Sequence, residues 1–159
     1  MTHIDRAGLP TMVDVSSKPV TIRTAVAESR VRLTPRTLQA IRAAARKKSR
    51  LAKGDPFAVA IVAGIQAAKK THDLIPLCHP IRIESVRVEP GLSGRHATFR
   101  VTCITSDRTG IEMEAMVGAS VAALAFYDMV KSVDRGVTIE RVRLLKKTGG
   151  KSGTFLAGR

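Results

Sequence analysis

A chain of 159 residues with 44% hydrophobic content can bury one substantial core, and 27 Lys and Arg against 13 Asp and Glu leave it at +14. The absence of any run of eighteen apolar residues, and of an apolar leader behind the first charges, argues against a membrane span or secretory signal and for a soluble, cytoplasmic protein. The positive field selects polyanionic partners, but four Phe, one Tyr and no Trp are too few stacking platforms for a single-strand nucleic-acid binder.

Residues 1–19 lack periodicity and carry two prolines and a Ser pair, which predicts a mobile arm before a single domain over 20–159. Residues 24–33 alternate, with Ala25, Ala27, Ser29, Val31 and Leu33 on one side and Glu28, Arg30 and Arg32 on the other: a half-buried strand. Thr34 caps a helix with Pro35 in its first position, an apolar stripe of Leu38, Ile41 and Ala45, and a basic face of Arg36, Arg42, Arg46 and Lys47. Residues 49–54 are a loop. Asp55 and Pro56 then open a second helix, residues 56–70, which is apolar almost all round and is expected to be deeply packed.

Pro76 and Pro80 forbid helix around Leu77, Cys78 and His79. A strand follows over residues 81–88, with a phase slip between Ile83 and Val86 that suggests a bulge. The stretch Pro90-Gly-Leu-Ser-Gly94 reads as a turn, and residues 97–106 return as the second half of a hairpin. Residues 110–114 read as a strand end, with Glu112 and Glu114 on one face. A helix rich in small residues (Ala115, Gly118, Ala119, Ser120, Ala122, Ala123, Ala125) follows and stops before Gly136. A last strand, residues 137–145, again slips phase. The Gly-rich, basic tail reads as flexible. The order strand, helix, helix, strand, strand, helix, strand is that of a ferredoxin-like split βαβ, an α+β antiparallel sheet against helices, with one extra helix. Exposed strand edges and the all-apolar helix point to an oligomer.

Chemistry-bearing residues are few. Asp128 and Lys131 stack on one helix face at i,i+3, either as an exposed ion pair or as a reacting pair on a rigid element. His79 beside Cys78 is either a hydrogen-bonded loop histidine or a proton carrier; alternation in an extended segment would aim the two apart. The cysteines, isolated and without CxxC spacing, read as reduced thiols, and the histidines show no metal-ligand spacing. Glu112 and Glu114 are either a carboxylate site or partners for arginines. The segment Gly149-Gly-Lys-Ser-Gly153 fails as a Walker loop, since Leu145 stands where a glycine is required. It is either a disordered tail or, with Lys147 and Lys151, a set of amides and amines that folds over an anion.

The runs MVDVSSK, KGDPFAVAIVAGIQAAKKTHDLIPLCHP, TGIEMEAMVGASVAALAFYDMVK and VRLLKKTGGKSG resemble the cyclic pyranopterin monophosphate synthase family of molybdenum-cofactor biosynthesis over most of residues 12–153. The resemblance implies a ferredoxin-like fold and a lyase that converts 3',8-cyclo-7,8-dihydro-GTP to cyclic pyranopterin monophosphate with release of pyrophosphate. It also implies a homo-hexamer, a trimer of dimers, with sites at subunit interfaces. By position it makes Asp128 and Lys131 the catalytic pair, with Leu77, Cys78, His79, Met113 and Glu114 in substrate-contacting strings. Lys53, Lys69, Glu112 and Lys147 match further functional positions. Pro56 and His72 depart from the common residues at their positions but replace no functional one.

A triphosphate carries about four negative charges near neutral pH, which gives the basic excess a role that needs no aromatics. Arg23, Arg108, Lys147 and Lys151 are the candidates to hold it. No cofactor is expected, and the sequence does not say whether Mg²⁺ accompanies the substrate. The rival is a basic ferredoxin-like nucleic-acid-binding module without catalysis. Residues 97–106, where Phe99 is the sole aromatic, lack the clustered aromatics such a module uses.

Overall fold

The computed structural model describes residue 4, residues 7–46, residue 51 and residues 53–158. Strand β1 (Thr21–Arg32) buries Ala25, Ala27, Ser29 and Val31 on one face and starts three residues before its expected limit. Thr34 caps α1 (Pro35–Arg46), its hydroxyl oxygen accepting from the Thr37 N–H at 3.2 Å. Helix α1 buries Thr37, Leu38 and Ile41, whereas Ala45 of the expected stripe is exposed. Lys47 and, in the following loop, Ser49, Arg50 and Ala52 lie outside the described residues, as does part of the expected arm (residues 1–3, 5 and 6).

Asp55 caps α2 (Pro56–Lys69), accepting from the N–H groups of Phe57 and Ala58. This helix is not packed all round. It buries Pro56, Ala60, Gly64, Ala67 and Ala68 and leaves Val59 and Val62 41% and 56% exposed. A one-turn helix, α3 (Thr71–Leu74), fits in before Pro76, where no helix was expected.

Strands β2 (Ser85–Ser93), β3 (His96–Asp107), β4 (Thr138–Thr148) and β5 (Phe155–Leu156) join β1 in one antiparallel sheet, ordered β2-β3-β1-β4-β5. With β4-β1-β3-β2 contiguous and helices covering one face, the chain has an α+β, ferredoxin-like arrangement. Two sequence expectations fail at β2. It begins at Ser85 and not at residue 81, so Ile83 lies in the irregular segment before it. Its register with β3 is unbroken from Ser85–Ile104 to Ser93–His96, with no bulge in the strand. The expected turn at residues 90–93 is strand instead, and the chain reverses at Gly94 and Arg95. Strand β2 is an edge, where half the backbone donors have no neighbour and a proline is tolerated.

The slip expected in the last strand is present as two bulges. Pairing with β1 skips Glu140, between Arg141–Arg30 and Ile139–Val31, and skips Leu145, between Lys146–Val26 and Leu144–Ala27. After the second bulge Lys147 pairs with buried Ala25 and so shares the helix-covered side; unbroken alternation from Leu144 would put it on the open side.

Residues 112–114 are not a strand end: α4 (Glu112–Val130) begins at Glu112. Acidic residues in a first turn suit the helix dipole, but Ile111 offers no side-chain cap, so the usual start mark is missing. By length and composition α4 alone among the described helices is apolar enough to cross a membrane; its buried side chains lie against the sheet and α2, while Leu124 and Met113 are exposed. Its Gly118 faces Gly64 of α2, and Phe126 contacts Phe57 and Phe99 with ring centroids 5.1 and 5.3 Å apart.

Candidate active site

The pairing of Gly64 with Gly118 and of Phe57 with Phe126 makes α2 and α4 antiparallel. The start of α4 therefore lies beside the end of α2, and the end of α4 beside Lys53 and Asp55. The sheet runs the same way, with Thr21, Asp107 and Thr148 at the end where α4 begins. This polarity sorts every sequence-predicted site residue into one of two groups.

At the far end, Asp128 and Lys131 sit on the last turn and the cap of α4, with Lys131 Nζ donating to Asp128 Oδ1 at 2.6 Å. Lys53 joins them, donating to Asp128 Oδ2 at 3.3 Å and to the Asp128 carbonyl at 3.2 Å. The hydrogen bond from Lys131, then that from Lys53, hold the Asp128 carboxyl below the usual carboxylate range. All three side chains are about half exposed, so this carboxylate between two ammonium groups is open to a ligand.

At the near end is a cleft of about 400 Å³ lined by Leu77, Cys78, His79, Glu112, Met113, Glu114, Thr109 and Gly110. Cys78 and His79 both face it, against the expected alternation, because their loop is not regular strand. Val13, Val15 and Lys18 close its remaining wall; the sequence reading gave these residues no site role. His79 Nε2 is 2.8 Å from the Val13 carbonyl oxygen. Glu114 is 4% exposed, and among the described residues neither it nor Glu112 is paired with an arginine. Burial pushes the Glu114 carboxyl up to about 7; its own backbone N–H opposes the rise and the charge of Glu112 adds to it. Glu114 can therefore exchange a proton near neutrality. Burial, and then Glu114, also raise the Cys78 thiol, and burial takes Cys103 up to about 12, so neither is a ready nucleophile.

Beside this cleft a larger hollow of about 830 Å³ is lined by Lys18, Thr21, Arg23, Gly150, Lys151 and Ser152. Arg23 is fixed by donating to the carbonyls of Asp107 (2.9 Å) and Arg108 (3.0 Å). Gly149 and Gly150 cross over it with φ of 90° and 72°, and a Cβ on either would collide with the Ile22 carbonyl or the Arg23 guanidinium. Lys147 donates to Ser152 across the loop. The tail continues into β5, whose Phe155 and Leu156 pair with Lys147 and Lys146. Lys69, at the end of α2, is exposed at this same end of the helix pair. Among the described residues no group of three or more His, Cys, Asp or Glu is placed to hold a metal ion.

Both groups use side chains from the segments on which the resemblance rests, and the model of the MoaC family matches residues 12–150. The chain belongs to the MoaC family. As a MoaC family member it is an enzyme of molybdenum cofactor biosynthesis that acts on a small-molecule substrate.

Proposed function

We propose that the chain is a cyclic pyranopterin monophosphate synthase, a phosphorus–oxygen lyase that converts 3',8-cyclo-7,8-dihydro-GTP to cyclic pyranopterin monophosphate and pyrophosphate. The observation that carries the reading is the Lys53–Asp128–Lys131 cluster. Rearranging a purine while closing a cyclic phosphate moves several protons, and a carboxylate that stays ionised holds two ammonium donors in place for that work. Asp128 thus orients and charges its neighbours, and Lys131 is the principal acid or base. Glu114, titrating near neutrality, is a second proton carrier. Arg23, Lys147 and Lys151, with Arg108 beside them, suit the triphosphate and the departing pyrophosphate. Protons and a phosphoryl group move, so the reading needs no cofactor.

Glu114 and Asp128 are fourteen positions apart on one helix, about 21 Å at 1.5 Å per residue. A site using both groups on one small substrate is completed by a second copy. This supports the hexameric trimer of dimers with interface sites, as do the exposed Val59 and Val62 of α2. Cytoplasmic location fits the free thiols. The nucleic-acid reading gains little: on the open sheet face Arg100 pairs with Glu28 and Arg30 and Arg32 with Glu140.

Incubation with the cyclised dihydro-GTP should yield pyrophosphate and the pyranopterin in equal amounts. Salt-sensitive RNA or duplex binding without product would replace this reading with the nucleic-acid module.

A further inference from the structure

Residues 12–18 form no helix or strand, yet the segment is shaped by two local bonds, Ser16 N–H to Asp14 Oδ1 (2.8 Å) and Lys18 N–H to the Val15 carbonyl (3.0 Å). It is tied to the body at two points: His79 Nε2 to the Val13 carbonyl, and Arg108 Nε to the Lys18 carbonyl at 3.1 Å. A hollow lies on each side of it, the cleft of about 400 Å³ and another of about 410 Å³, and Val13, Val15, His79 and Thr109 border both. The segment therefore runs between the two hollows as a strap held at points, with its first tie on a histidine of the candidate site.

That tie has a chemical consequence. A carbonyl oxygen only accepts, so the bond requires the proton on His79 Nε2, and the neutral ring then carries its lone pair on Nδ1. We propose that residues 12–18 are a positioning strap: the Val13 carbonyl fixes the orientation and Nε2–H tautomer of His79, leaving Nδ1 as its proton-accepting atom, while Val13 and Val15 wall the cleft. The proposal rests on the reading that this cleft takes the substrate.

The test uses full-length protein labelled with ¹⁵N-histidine, His79 being assigned by loss of its resonance in His79→Gln. The expected result is a slowly exchanging Nε2–H resonance for His79. Deleting residues 1–11 should leave it and turnover unchanged. Deleting residues 1–16 removes Val13 but no residue of the core, which begins at Ala25; it should abolish the protected resonance and lower kcat by about tenfold or more. His79→Gln keeps an N–H near the Nε2 position, so it should hold KM within a few-fold of the parent while kcat falls; His79→Ala should raise KM as well. A proton on Nδ1 in the full-length chain, or unchanged resonance and kcat after the deletion to residue 16, would overturn the strap. Absence of turnover in the full-length chain would instead overturn the assigned reaction, and the resonance would still decide the His79–Val13 tie.

Discussion

Lys53 Nζ lies 3.3 Å from Asp128 Oδ2, on the side of the carboxylate that Lys131 leaves free. A lone i,i+3 pair near a helix end is commonly a surface ornament worth little. A carboxylate that also draws in a lysine from the loop before α2, 75 positions away, is a built feature. It ties the segment that enters α2 to the last turn of α4, at one end of the helix pair.

The first prediction concerns that cluster. Lys131→Ala, Asp128→Ala and Lys53→Ala should each fold, with unfolding midpoints close to the parent's, because all three side chains are exposed to solvent. Turnover should fall by roughly a hundredfold or more for Lys131→Ala and Asp128→Ala. The Asp128/Lys131 double variant should lose little beyond the worse single variant, since the two act together. Near-normal kcat in either single variant would remove that residue from the chemistry.

A second prediction follows from Glu114. Its folded pKa, about 7, is raised above the usual 4.5, so between these values the folded chain holds a proton that the unfolded chain has released. Stability must then fall as pH rises from about 4.5 to about 7, by up to about 3 kcal/mol. Glu114→Gln cannot ionise. Relative to the parent it should gain stability over that window, reaching about 1–3 kcal/mol at pH 8. Urea unfolding at pH 4.5, 6 and 8 measures this, and a difference that did not change with pH would mean Glu114 is not protonated in the fold.

Sequence and structure part company at instructive places. The starts of α1 and α2 were legible because Thr34 and Asp55 do the capping locally, with proline next to each. The start of α4 was not, because Ile111 caps nothing and Glu-Met-Glu alternates like a strand. Pro90 and Gly91 looked like a turn; only the topology makes β2 an edge that tolerates them. For the candidate site, the resemblance names residues, but how the fold groups them at the two ends of the helix pair was not legible. That grouping depends on α2 running antiparallel to α4, a property of tertiary packing.

A third prediction probes that packing. A Cβ at Gly118 would lie 3.1 Å from the Gly64 carbonyl oxygen and 3.1 Å from Val101 Cγ1. Alanine gains about 1 kcal/mol in helix propensity, but a backbone carbonyl cannot swing aside and overpacking costs about 1–3 kcal/mol. Gly118→Ala should be destabilised by up to about 2 kcal/mol in urea unfolding. A higher midpoint would show that α2 slides freely on α4.

The fourth prediction concerns the tail. Strand β4 runs to Thr148, so the informative truncation is after that residue, removing the loop over Arg23 together with β5. The core cluster of buried residues ends at Val137, so the fold should survive. Loss of Lys151 and Ser152 should raise KM for the triphosphate by about tenfold or more, as expected for losing charge-assisted contacts. An unchanged kcat/KM would free the tail from any part in phosphate binding.

The bulge at Leu145 turns chain length into an address. One skipped residue leaves the pairing partners of Ala27 and Ala25 in place, yet decides on which surface the amine of Lys147 is displayed. The same chain paired without the bulge would set Leu145 opposite Val26 and Lys147 opposite Thr24, keeping the lysine but presenting it to the open side, whereas a homologue one residue shorter needs no bulge to hold it opposite Ala25. Among relatives of this chain, the register that sets this lysine opposite Ala25, whatever its spacing from Leu144, is therefore as much a marker of the candidate phosphate site as the lysine itself.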